Sequence, residues 1–220
     1  MTASLDPQLD PHLMEVVRST KGFLPEDEAA ALHNAARNVA AHGPFLEVGA
    51  YCGRSALYLG HAARASGTVL FSVDHHRGSE ENQSGWEHHD PEVVDPHTGR
   101  MDTLPFFRRA MAAADLEQHV VAVVGHSAVV ASWWTTPLAL CFIDGGHASD
   151  MANADYDGWA HHVAPGGFLA IHDVFPNPAD GGRPPYEMYL RALADGFVEQ
   201  VDLNCGSLRV LAAPAAHRIG

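Results

Sequence analysis

Four short apolar runs in this chain each carry an acid at or beside the C-terminal end, and this repetition limits the fold more than any other feature. They are Phe45-Leu-Glu-Val48, Thr68-Val-Leu-Phe-Ser-Val-Asp74, Leu138-Ala-Leu-Cys-Phe-Ile-Asp144 and Phe168-Leu-Ala-Ile-His-Asp173. Such runs suit strands buried on both faces of a parallel sheet. Val120–Val124 reads as a further strand. Helices are predicted over about 55–65, 105–114, 128–134, 149–162 and 186–194. Pro165-Gly166-Gly167 reads as a turn, and 198–203 with 207–212 as a terminal strand pair. Ahead of the first strand lie two helices. The first buries Leu13, Val16 and Val17; the second opens at Pro25-Glu-Asp-Glu28, with acids at the positive end of its dipole, and runs to about residue 41. The alternation predicts a Rossmann-like, doubly wound α/β fold. Its sheet has seven mostly parallel strands with a terminal antiparallel strand. The N-terminal helices, residues 1–42, are added to a single domain spanning 1–220.

Ligands of such sheets bind beyond the carboxyl ends of the strands. Glu47, Asp74, Asp144 and Asp173 fall there together. One acid could simply cap the next helix; four on one edge suggest a site. The stretch from Phe45 to Ser55 reads as strand, glycine-bearing turn and helix start. Gly49 and Gly53 let a ligand approach the backbone. The spacing is not the Gly-x-Gly-x-x-Gly that places pyrophosphate on a helix. A carboxylate in the turn favours a cation or an amine over phosphate, as in the sulfonium and ammonium of S-adenosylmethionine.

Charge and composition exclude other classes. The formal net charge is −14, so no basic surface is expected for nucleic acid or an anionic membrane. No apolar run reaches the roughly 20 residues of a membrane span. The first residues lack a basic then apolar leader, so a cytoplasmic location is expected. The three cysteines, Cys52, Cys141 and Cys205, lack metal spacing and read as reduced thiols. Most of the 16 histidines read as surface residues. The segment 77–103 is longer than ordinary connections. It holds Trp86 among acids and histidines, which suits stacking on a sugar; a solvated excursion or a dimer contact is the alternative.

The richest segment is Phe142-Ile-Asp-Gly-Gly-His147. Neighbouring parallel strands would set Asp144 beside His172 and Asp173. Two carboxylates with an imidazole in reserve form an open site for a divalent cation, Mg²⁺ first and Mn²⁺ next. His147 could remove a proton from a metal-bound hydroxyl, or could simply start a helix.

These residues resemble the class I S-adenosylmethionine-dependent O-methyltransferases whose fourth strand ends Phe-Ile-Asp-Gly-x-His and whose fifth ends His-Asp. The tail from Asp173 to Tyr186 is similar to the subgroup that 1-O-methylates 3-O-methylated mannosides in methylmannose polysaccharide synthesis. The resemblance implies that Glu47, Gly49 and Gly53 hold the methionine moiety, with Tyr51 and Ser55 nearby. It places Asp74 on the ribose hydroxyls, His75 beside the adenine and Ser127 against it. Asp144 would lie near the sulfonium and ligate the cation with Asp173 and, ranked lower, His172. His147 would be the base. Metal-dependent relatives carry two adjacent acid or amide ligands where this chain has His-Asp. The family's helical lid is not evident, and the 77–103 loop stands in its place.

The acceptor expected is a small molecule or oligosaccharide, with a sugar hydroxyl first and a phenol or natural product second. A homodimer is expected from base rates. Two other classes compete. One is an NAD-linked oxidoreductase using Asp74 on the ribose; the other is an interaction protein that keeps the cofactor without catalysis.

Overall fold

The computed structural model describes residues 9–79, 89–146, 148–177, 179–180 and 183–215. Helices α1 (Pro11–Ser19) and α2 (Glu26–Val39) precede strand β1 (Phe45–Val48). Then follow α3 (Arg54–Ser66), β2 (Leu70–Asp74), α4 (Leu104–Ala113), β3 (Val120–Val124) and α5 (Ser127–Ala131). The chain continues through β4 (Leu138–Ile143), α6 (Ser149–Trp159), β5 (Val163–Ile171), α7 (Pro184–Ala194), β6 (Val198–Glu199) and β7 (Arg209–Ala212). The strands form one sheet in the order β3-β2-β1-β4-β5-β7-β6. From β3 to β5 every pairing is parallel, and β7 runs antiparallel to both β5 and β6. The strand order reverses between β1 and β4, where a doubly wound sheet opens a crevice for ligand.

Alternate side chains of the central strands serve two apolar layers, because successive residues of a strand face opposite sides. Phe45, Leu140, Phe142 and Ala170 pack with α1 to α4. Leu46, Cys141, Ile143, Leu169 and Ile171 pack with α6 and α7, around the fully buried Trp159. Both sides of β4 are therefore apolar, which is why it reads as a continuous hydrophobic run, and both sides of β1 are buried, with Glu47 its one polar residue. The N-terminal helices belong to the first layer: Leu13, Val17, Leu32 and Ala36 are within a few per cent of full burial.

Three details depart from the reading of the sequence. Pro165-Gly166-Gly167 is not a turn before β5 but a bulge within it. A step of two residues along β4, from Leu138 to Leu140, is matched by a step of five along β5, from Val163 to Phe168. Gly166 takes φ +77°, and a Cβ on Gly167 would stand 2.7 Å from the Ala139 carbonyl oxygen, so the extra residues fit only with glycine. Strand β6 is two residues long, because Val201–Leu203 winds into a 3₁₀ turn. The long segment is anchored at a few points over its described part, with Val93, Met101 and Thr103 buried while residues 96–100 are exposed. Val94 bridges Met101, and Val93 and Met101 close a small apolar cluster with Cys52. Lys21 joins this segment to the N-terminal linker through Asp90 (2.5 Å) and Glu92 (2.6 Å). Trp86, Glu80, Glu81, Glu87 and His88 lie outside the described residues. Among the described residues, no helix is long and apolar enough to cross a membrane.

Candidate active site

The turn after β1 is held by a carboxylate and shaped by two glycines. Gly49 has φ +88°, and a Cβ there would come 2.1 Å from the Asp144 carbonyl oxygen. Only glycine lets the ends of β1 and β4 approach so closely. Tyr51 takes a left-handed φ of +47°, which is strained for an aromatic residue. Asp74 offsets that cost: its Oδ2 accepts the backbone N–H groups of Ala50 and Tyr51, both at 2.9 Å. Its Oδ1 accepts the N–H of His76 at 2.7 Å. Gly53, at φ +96°, then starts α3.

Glu47 lies beneath this turn and has no solvent exposure. Ser55 Oγ donates to it at 2.7 Å and Ser72 Oγ at 2.5 Å. Burial pushes its pKa up to about 7, against the two serine hydrogen bonds, and the charges of Asp144 and Asp74 add to the rise. The acid predicted to face the ligand is thus buried and absent from the lining of the crevice, where its hydrogen-bond donor Ser55 stands instead.

Across the crevice, β4 and β5 end on Asp144, His172 and Asp173. The ladder continues past the strands: Asp144 N donates to the Val48 carbonyl at 2.9 Å, and His172 N to that of Ile143 at 3.2 Å. His172 Nδ1 lies 3.0 Å from Asp144 Oδ1 and 3.4 Å from Asp173 Oδ2. Its Nε2 lies 2.8 Å from Glu28 Oε2, on α2. Burial alone would lower the imidazole pKa, but the Asp144 charge and the bonds to Asp144, Asp173 and Glu28 carry it up to about 12. Burial likewise opposes a charge on Glu28; the His172 bond and the Ser207 backbone N–H reverse this and hold its pKa below the ordinary value. Asp173 adopts φ +56°, a conformation that aspartate tolerates better than most residues.

One donor atom from each of Asp144, His172 and Asp173 falls within 4.8 Å of the others. The set fits a divalent cation. With its proton on Nε2, held by Glu28, the ring turns the lone pair of Nδ1 toward both carboxylates, as a metal-ligating histidine does when its other ring nitrogen donates to a carboxylate. Without a cation the same ring is an imidazolium that neutralises part of the acidic charge.

A cavity of about 440 Å³ joins the two halves, within the size range of small-molecule pockets. Gly49, Tyr51, Ser55, Asp74, His75 and Ser127 line it on the β1 to β3 side, and Asp144, His172 and Asp173 on the other. Glu47 and Gly53 sit behind its wall. His75 faces His126 with ring centroids 4.8 Å apart. Ser127 Oγ accepts from Trp159 Nε1 at 2.7 Å and bonds the carboxylate of Asp155. Burial raises the Asp155 pKa to about 6, although the Ser127 bond opposes the rise. Gly22, Phe23 and Leu24, between α1 and α2, complete the wall. Arg54 Nε ties them down by donating to the Leu24 carbonyl at 3.0 Å. His147 lies outside the described residues.

Two acids of this site were not singled out from the sequence. Glu28 reads there as a dipole acid in the first turn of a helix, yet it is 6% exposed and bonded to His172. Its signal was its place on the apolar face of α2, beside the fully buried Ala29 and Leu32. Asp155 closes the run from Asp144 that carries the family resemblance, with no role given to it there, and it is buried on the cavity wall.

A doubly wound sheet with a glycine turn and acidic strand ends around one cavity at its reversal point has the form of an α/β protein with a small-molecule site. The chain belongs to a methyltransferase family: a profile described as a methyltransferase domain matches residues 46–174, more than half its length. Solved structures share the fold. PaMTH1, a methyltransferase of Podospora anserina solved with SAH, superposes with a TM-score of 0.64 at 13% identity, covering 93% of this chain and 88% of its own. TomG of Streptomyces achromogenes, an O-methyltransferase of tomaymycin synthesis solved with SAM, gives 0.62 at 13% identity over 94% and 91%. An O-methyltransferase of Bacillus cereus solved with SAH gives 0.61 at 14% identity over 94% and 93%. The family is therefore one of methyltransferases rather than of NAD-linked oxidoreductases.

Proposed function

We propose that the protein is an S-adenosylmethionine-dependent O-methyltransferase acting on a hydroxyl of a sugar or oligosaccharide, assisted by a divalent cation. One observation carries this reading: a single cavity joins the Gly49 turn to the Asp144, His172 and Asp173 cluster in a chain of a methyltransferase family. The SAM or SAH named for the three solved relatives supports the cofactor class. In this reading Gly49, Tyr51, Gly53 and Ser55 hold the methionine end, with Glu47 behind them. Asp74 already accepts three backbone N–H groups; a carboxylate has about four acceptor sites, which leaves room for a ribose hydroxyl. His75 and Ser127 flank the adenine.

When bound, S-adenosylmethionine supplies a methyl group already activated by positive sulfur. A bound Mg²⁺ or Mn²⁺, held by Asp144, Asp173 and His172, supplies charge that makes a hydroxyl more acidic. The protein must place that oxygen about 3 Å from the methyl and remove its proton. We assign the proton to His147. Both ring nitrogens of His172 are held by carboxylates, so His172 is poorly placed to accept one.

The net charge of −14 disfavours an anionic acceptor. A sugar hydroxyl, including the 1-OH of a 3-O-methylated mannoside, follows from the resemblance of residues 173–186. A phenolic or natural-product acceptor is the second reading, favoured by Phe23 and Met151. Both line the cavity, at 61% and 39% exposure, and offer apolar contact to an aromatic ring. Transfer of a labelled methyl group to short mannosides, glucosides and phenols tests both. Label on phenols alone would replace the sugar reading; no SAH binding by calorimetry and no transfer to any acceptor would refute the transferase reading.

A further inference from the structure

We infer that Glu28 is a positioning residue for the cation centre, holding the His172 ring so that Nδ1 faces Asp144 and Asp173. This rests on the cation-assisted reading above and adds to it a residue from outside the sheet. Glu28 sits on the N-terminal helix α2, 144 positions from the ring it holds. Each of its oxygens is engaged. Oε1 accepts the backbone N–H of Ser207 at 2.9 Å; Oε2 accepts from Ser207 Oγ at 3.0 Å and from His172 Nε2 at 2.8 Å.

The surroundings are shaped to that carboxylate. Gly206, at φ +50°, passes so close that a Cβ on it would stand 2.1 Å from Glu28 Oε1. The loop that bears it is tied back to the site, since Val174 N donates to the Ser207 carbonyl at 3.0 Å. Glu28 is flanked on α2 by fully buried Ala29 and Leu32. A buried charge among apolar neighbours is costly and seldom adds net stability, even when paired. Its geometry is what a metal-ligating histidine requires: an acceptor on the far ring nitrogen fixes the tautomer and the ring plane. Helix α2 is then part of the reaction centre as well as a cover for the sheet.

The test compares Mn²⁺ and SAH binding in wild-type protein, Glu28→Gln and Ser207→Ala. Glu28→Gln removes the charge and sets an amide N–H₂ among donors. Loss of such an outer partner typically weakens metal binding about 10- to 100-fold. The expected result is a rise of that size in the Mn²⁺ dissociation constant, read by electron paramagnetic resonance, with SAH affinity within about twofold. Ser207→Ala removes one donor to Glu28 and is expected to give a smaller rise in the same direction, which keeps the test usable should Glu28→Gln fail to fold. Long-range ¹H–¹⁵N spectra of the Mg²⁺-loaded wild type should show the His172 proton on Nε2; a proton on Nδ1 overturns the inference. So does Mn²⁺ affinity within about twofold of wild type in whichever variants fold. SAH binding is measured separately, so failure of the transferase reading is distinguishable from failure of this one.

Discussion

Replacing Glu47 by glutamine should change how stability depends on pH. Glu47 is fully buried beneath the Gly49 turn, and its pKa stands near 7 against an ordinary 4.5. At about pH 4.5 and below, native and unfolded chains both tend to hold the proton. As pH rises, the unfolded chain loses its proton first, so the native state binds more protons and stability falls. The loss is complete once pH passes about 7. A difference near 2.5 pKa units corresponds to about 3 kcal/mol at about 1.4 kcal/mol per unit. Glutamine is of similar size, does not titrate and can still bond Ser55 and Ser72 after the hydroxyls rotate. The stability of Glu47→Gln relative to wild type should therefore rise by about 3 kcal/mol from pH 4.5 to 8.5. For a chain of this size that is a relative gain of roughly 6–12 °C in Tm. Thermal unfolding of both proteins by circular dichroism across this range gives the difference directly, with the other titrating groups largely cancelling. Parallel Tm curves for the two proteins would refute the argument that Glu47 is held protonated by its burial.

Other expectations follow from the proposed function and from the turn at Gly49. His147→Ala should leave SAH affinity in place and reduce turnover about 10²- to 10⁴-fold, the range for a lost general base; unchanged turnover would remove His147 from that role. Treatment with EDTA should abolish methyl transfer and added Mg²⁺ or Mn²⁺ should restore it, so full activity in chelator would rule out the cation. Gly49→Ala combines a positive φ with a contact to the Asp144 carbonyl and should cost about 3 kcal/mol, seen as a lower urea midpoint at unchanged slope.

The order of strands and helices was legible because it rests on local periodicity. Phe45–Val48, Val120–Val124 and the run ending at Asp144 needed no knowledge of their partners, and the acids that follow such runs reach one edge by the geometry of a parallel sheet. Asp74, Asp144 and Asp173 could therefore be placed on one sheet edge before any coordinates, and they line the same cavity. Other features depended on neighbours distant in sequence. The glycines at 166 and 167 signal a break in either a turn or a strand, and only their fit against Ala139 makes the break a bulge. Glu47 looked like a ligand-facing acid; the register of β1 between β2 and β4 seals it under Ser55. Glu28 and His172 meet because α2 packs against the end of β5, a contact to which neither local pattern points. Local sequence thus determined the elements and the edge where chemistry gathers. Burial and pairing decided which acids face the cavity, which lie behind it and how His172 is held, because those depend on the dielectric and hydrogen-bond partners that appear only when distant segments pack together.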